Sequence, residues 1–141
     1  MTATILLLAG CGAGTHSPAA QGARLTKAAG VSSITVICVK GLWDDTRPIG
    51  TKVSTPPAPG ERGQRGLVQI TLTGPQLVAY LKELDANAHP GWASGGRDNK
   101  AESTRVYDAL SQAVDKITAV RTSSDPAPEV IIDDTIPTTA P

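Results

Sequence analysis

The chain is predicted to fold as a small α+β domain in which a sheet of two to three short strands is covered by an antiparallel helical hairpin. Three observations predict it: residues 33–40 are nearly continuous in β-branched side chains, residues 67–73 alternate apolar and polar, and two later segments repeat apolar residues every three or four positions. A length of 141 residues gives room for one such domain. With no Phe and 3% aromatics, the core must come from Val, Ile, Leu and Ala, each large aliphatic contributing about 1.5–3 kcal/mol when fully buried.

The run Ile34-Thr35-Val36-Ile37-Cys38-Val39 suits a central strand buried on both faces. Cys38 is then a packing residue, because a free thiol behaves as a small hydrophobe. Gly41 is expected to end the strand, and Leu42-Trp43-Asp44-Asp45 to open a long loop. A weak strand over residues 49–53 can interrupt it, while residues 54–66 hold too many Pro and Gly for regular structure. In residues 67–73, Val68, Ile70 and Leu72 share one side and Gln69, Thr71 and Thr73 the other.

This strand runs directly into a helix. Thr73 with Gln76 three residues on makes a capping box, Leu72 and Leu77 form a hydrophobic staple, and Pro75 fits the first turn. Leu77, Tyr80, Leu81, Leu84 and Ala88 face inward, and His89-Pro90-Gly91 ends the helix. A second helix is predicted over residues 101–121, with Asn99 and Glu102 as another cap and Val106, Tyr107, Leu110, Val114, Ile117 and Val120 as its apolar line. After the linker at residues 123–128, Val130-Ile131-Ile132 is a candidate edge strand, and residues 136–141 are expected to be disordered.

At the N-terminus, Leu6-Leu7-Leu8-Ala9-Gly10-Cys11 resembles the lipobox of bacterial lipoproteins. The resemblance implies cleavage before Cys11, a diacylglycerol on its sulfur, and a mature chain on the extracytoplasmic face of the cell membrane. It also implies a basic region ahead of the apolar run. Met1-Thr2-Ala3-Thr4 has no Lys or Arg, so that region is expected upstream. The resulting organisation is a signal peptide at 1–10, a lipidated Cys and flexible tether at 11–30, a domain at 31–122 and an acidic Pro/Thr-rich tail at 123–141. Within the tether, residues 20–29 have a helical alternative that would lay Arg24 and Lys27 on anionic lipid, worth about 1 kcal/mol each.

Formal net charge is zero, which excludes the basic face that general nucleic-acid binding requires. The distribution is uneven: Asp125, Glu129, Asp133 and Asp134 give residues 122–141 a charge of −4, so residues 1–121 carry +4. The acidic tail is therefore expected to lie transiently against a basic loop containing Arg47, Lys52, Arg62 and Arg65, and to be displaced by an anionic partner. Trp43 and Trp92 fall in predicted loops, where an exposed indole would anchor a partner. The competing reading is that each caps the small core from outside.

Chemical motifs are sparse. Gly91 to Asp98 has the glycine spacing of a phosphate-binding loop, but Arg97-Asp98 stand where Lys and Ser/Thr are needed, and Ser94 lacks the glycine of a nucleophile elbow. No GxGxxG follows a strand and no Cys/His set has zinc spacing, so no cofactor and no metal is expected. Asp44-Asp45 and Asp133-Asp134 are the candidate oxygen pairs for a hard cation. His89 lies four residues after Asp85, so a helix would let the carboxylate orient the imidazole; a helix-end histidine also simply favours the dipole.

Two readings of function follow. The first is a non-enzymatic, lipid-anchored envelope lipoprotein that binds an envelope protein or an anionic wall polymer through Trp43, Trp92, Arg47, Lys52, Arg62 and Arg65. The Ala/Gly/Pro/Thr-rich composition is similar to that of small actinobacterial lipoproteins. The alternative is an anchored hydrolase or metal-dependent enzyme using His89 and Asp85. The first is favoured, because no nucleophile, base and orienter can be assembled from the motifs present.

Overall fold

A computed structural model of the chain describes residues 18–89, 99–117 and 126–135. It has the predicted α+β architecture. The elements are α1 (Gln21–Ala29), β1 (Ser33–Val39), α2 (Lys40–Thr46), α3 (Glu61–Gln64), β2 (Leu67–Thr73), α4 (Gly74–Ala88), α5 (Lys100–Asp115) and β3 (Glu129–Ile131).

The strands lie in the order β2-β1-β3, so β1 is central as its composition requires. It pairs antiparallel with β2, Val36 opposite Ile70, and parallel with β3, Val36 opposite Val130. Alternation along each strand sends Ile34, Val36, Cys38, Val68, Ile70, Leu72 and Val130 into one core beneath the helices. There they meet Leu77, Tyr80, Leu81 and Leu84 of α4 and Val106, Tyr107, Leu110 and Val114 of α5. Cys38 sits in this core as a free, buried thiol, and burial pushes its pKa up to about 11. The opposite sheet face is covered only in part, where Ala58 packs on Ile37 and Leu67.

The β2–α4 junction follows the sequence directly. Gln76 donates its backbone N–H to the Thr73 hydroxyl at 3.4 Å, and the Gln76 side chain accepts from Thr73 N–H at 2.9 Å, closing the capping box. Leu72 and Leu77, the staple residues, are both buried.

Elsewhere tertiary contacts overrule the local reading. The second half of the expected tether is α1, seated on the hairpin with Ala28 fully buried. This is the helical alternative, with its Arg24 engaged inside the fold: the guanidinium forks onto the Asp115 carboxylate, with Nε–Oδ1 at 3.0 Å and Nη2–Oδ2 at 2.8 Å, and Lys27 donates to the Asp115 carbonyl. That pairing holds the Asp115 carboxyl below its ordinary range. Tyr107 donates its hydroxyl proton to Gln21 Oε1. The C-terminal end of α1 approaches α4 so closely that a Cβ on Gly74 would lie 2.6 Å from the Val31 carbonyl oxygen.

The loop expected from residue 41 begins instead as α2, which takes Lys40 from the end of the predicted strand and contains Gly41. Residues 49–53 form no strand; a turn closes there from Thr51 N–H to the Pro48 carbonyl, with Gly50 supplying the positive φ of 81° that this turn needs. The Pro/Gly-rich stretch is also more ordered than expected. Gln69 N–H donates to the Pro56 carbonyl and Ala58 N–H to the Leu67 carbonyl, so residues 56–58 cover the outer edge of β2 before α3. At α5 the second cap does not form: Asn99 turns its Nδ2 to the Asp45 carbonyl at 2.6 Å instead of closing on its own helix. Residues 118–121, expected to extend α5, lie outside the described residues.

The tail contributes to the core. Val130 and Ile132 are 6% and 5% exposed, and Ile132 N–H donates to the Ile37 carbonyl. The domain therefore extends beyond residues 31–122 at both ends, with α1 before and β3 after.

Candidate functional site

The site is built on α2 and the turn after it. Trp43 faces inward, 2% exposed, its ring edge-on to Tyr80 at a centroid distance of 5.0 Å. Thr46 beside it donates or accepts with the Tyr80 hydroxyl at 2.6 Å and bonds the Leu42 carbonyl, which fixes the end of α2. With Trp43 anchored, Lys40, Asp44 and Arg47 share the outer side of the helix. Lys40 Nζ lies 2.6 Å from Asp44 Oδ2, and Arg47 Nε lies 3.6 Å from Asp44 Oδ1.

The Pro48–Thr51 turn then sends the chain back along this side. Arg47 Nη1 donates to the Thr51 carbonyl at 2.8 Å, and residues 51–55 form the second wall of a concavity of about 420 Å³. Its lining includes Lys40, Trp43, Asp44, Arg47, Thr51 and Lys52. Lys40, Arg47 and Lys52 share this lining with Asp44, and Lys52 pairs with no acid among the described residues.

The six candidate partner-binding residues are thus divided. Trp43, Arg47 and Lys52 come together, but Trp43 is a core residue whose indole supports the concavity and is not an exposed anchor. Arg62 and Arg65 line a separate concavity of about 450 Å³ with Pro59, Glu61, Ile131 and Asp133. Charge is balanced there: Arg65 pairs with Asp133 at 2.5 Å and Glu61 at 3.9 Å, and Arg62 approaches Glu129 at 4.0 Å. Trp92 and Cys11 lie outside the described residues, as does the Gly91–Asp98 loop.

The sequence context of Lys40 reads as strand, although its spacing of four to Asp44, and of three from Asp44 to Arg47, is a helical signature. Gly41 and the adjacent acids obscure that signature.

The other candidates have settled partners. Asp85 Oδ1 and His89 Nδ1 are 2.8 Å apart, and the His89 ring stands edge-on to Tyr107 at 5.3 Å. The oriented imidazole exists. No group of three or more His, Cys, Asp or Glu side chains suited to a metal occurs among the described residues. Three of the four paired acids are met by protein donors: Asp44 by Lys40 and Arg47, Asp133 by Arg65 and Thr135, and Asp134 by Arg105.

Fold and site together define a small α+β domain with a concavity lined by Lys40, Arg47 and Lys52. No protein-family model, no characterised protein and no solved structure matches the chain.

Proposed function

We propose that the chain is a lipid-anchored extracytoplasmic envelope lipoprotein that binds a partner and does not catalyse a reaction on it. The observation that carries the reading is Leu8-Ala9-Gly10-Cys11, a small-residue cleavage context directly before a cysteine, standing nine residues ahead of the first helix at Gln21. Nine residues can span no more than about 3.3–3.6 Å each, so the domain would be held close to the membrane surface. No described helix is long and apolar enough to cross a bilayer. In support of binding over catalysis, no group of three or more metal-ligating side chains includes the Asp85–His89 pair among the described residues, whereas Lys40, Arg47 and Lys52 line one concavity.

The test is phase partitioning of the protein expressed from its own locus. Wild type is expected in the detergent phase with its mature N-terminus at Cys11, and Cys11→Ser is expected to be unprocessed or aqueous. Stable anchoring needs two or more acyl chains. Wild type in the aqueous phase with residues 1–10 intact by mass spectrometry refutes the anchor.

A further inference from the structure

We infer that the free edge of β3 pairs with β3 of a second copy of this chain, antiparallel about a two-fold axis at Val130. Two three-stranded sheets then become one of six strands. The inference goes beyond the reading above and does not depend on the anchor.

The main chain carries the argument. Thr35 N–H donates to the Pro128 carbonyl, and Ile132 N–H to the Ile37 carbonyl. In a parallel ladder this aims the N–H and C=O of Val130 at β1 and those of Glu129 and Ile131 away from it. The other edge of the sheet is closed, because residues 56–58 bond along β2. On the β3 side no described residue takes the outward groups, and such an edge is a template for another strand. With Val130 at the centre of an antiparallel pair, Glu129 of each copy stands opposite Ile131 of the other. The hydrogen bonds exchanged between them use every outward group of both residues.

The side chains select a second copy as the occupant. Ile131 is 40% exposed and, with Ile49, is one of two large hydrophobic residues exposed among the described residues. The two-fold axis sets the two Ile131 side chains diagonally across the junction, within reach of each other. The ends of the edge carry opposite charge. Arg105 pairs with Asp134 just beyond the C-terminal end of β3. Lys116 lies a further eleven residues along α5, about 16 Å at 1.5 Å per residue, and lines a groove with Pro128 and Glu129 at the other end. An antiparallel copy brings its Asp134, 35% exposed, towards Lys116, which pairs with no acid among the described residues. A two-fold contact must be self-complementary, and this edge sets donor against acceptor, apolar against apolar and cation against anion. Formal net charge is zero, so whole copies do not repel. Ala109 and Ala113 line the open groove of about 350 Å³ beside β3, and their small side chains leave room for the second copy.

The experiment is sedimentation equilibrium of the full chain carrying Cys11→Ser, which keeps it unlipidated, from micromolar to millimolar concentration. Amide hydrogen exchange is read at both ends of that range. Monomer and dimer in equilibrium are expected. The Glu129 and Ile131 amides should be protected only where the dimer is populated, and the Val130 amide, bonded to β1, at every concentration.

Ile131→Pro removes one outward N–H from each strand and should weaken the dimer about thirty-fold, the scale of two main-chain hydrogen bonds. Ile131→Lys keeps that N–H and should also weaken the dimer, by bringing like charges together, so the inference does not hang on whether the proline variant folds. Lys116→Glu should weaken it several-fold at low salt and less at high salt. Ile49→Ser should change nothing. A chain that stays monomeric throughout, a dimer whose Glu129 and Ile131 amides are unprotected, or an association that Ile49→Ser weakens as much as Ile131→Lys overturns the inference. A wild type found without lipid refutes the anchor alone and leaves these measurements standing.

Discussion

Arg65 and Asp133, 68 residues apart in sequence, meet with Nη2 2.5 Å from Oδ2 on the sheet face opposite the helical hairpin. The Asp133 side chain is 9% exposed. The Thr135 hydroxyl and N–H donate to its other oxygen, and those bonds, followed by Arg65, hold its carboxyl down at about 2. The acidic tail does meet the basic segment, as charge alone suggested, but as an ordered junction that continues β3 and not as a transient contact. The junction fastens the end of the tail segment to the residues following α3.

A pH dependence follows from this pair. The folded-state pKa of Asp133 lies below the ordinary 3.8, so on acidification the unfolded chain takes up the proton first. The contribution is fully present above about pH 4 and is lost as pH falls from there towards about 2. Asp115, also held below its ordinary range by Arg24, loses its contribution in the same direction. Melting temperature measured from about pH 5 down to about pH 2 should fall, and Asp133→Asn should lie below wild type at the upper end and converge with it at the lower. An undiminished gap at the lowest pH would assign the effect of Asp133 to packing and not to charge.

Truncation after Thr122 should destabilise the domain severely. It removes β3, uncovering one edge of β1, and takes away Val130 and Ile132, which are nearly fully buried. Two large aliphatics represent roughly 3–6 kcal/mol of burial, a large share of the roughly 5–15 kcal/mol available to a typical domain. Circular dichroism on heating reads the outcome directly. A truncated chain that melts at the wild-type temperature would show that β3 adds nothing to the fold.

Gly74→Ala tests how α1 is seated. The new methyl would lie 2.6 Å from the Val31 carbonyl and 2.9 Å from that of Ala29, both main-chain atoms that cannot rotate aside. Forced displacement of this kind costs about 1–3 kcal/mol, even though alanine is the better helix former elsewhere. Chemical denaturation should show that loss, and amide exchange should show it concentrated in residues 21–31. A variant as stable as wild type would mean that the seat of α1 is loose.

The candidate site was partly legible in the sequence. Charge marks Arg47 and Lys52, and a loop-like context marks Trp43, and the structure brings the three to one concavity. Lys40 and Asp44 join them only because α2 forms, and α2 forms around the burial of Trp43 against Tyr80, 37 residues further on. Arg62 and Arg65 go elsewhere, because they pair over long range with Glu129 and Asp133 of the tail.

By itself the sequence determined whatever is settled between near neighbours: the alternation of β2, the start of α4 from Thr73 and Gln76, the inward line Leu77, Tyr80, Leu81 and Leu84, and the central strand with its buried Cys38. Capping bonds and periodic burial span only a few residues, so their pattern is written in consecutive letters. Tertiary structure alone decided that residues 21–29 are a docked helix, that Asn99 serves Asp45 in place of its own helix, and that β3 lies parallel beside β1. Each of these depends on a surface or a carbonyl supplied by a distant segment. Burial and hydrogen bonding reward such contacts whatever the sequence separation, and here they outweigh the local preferences of Ala, Gly and Asn.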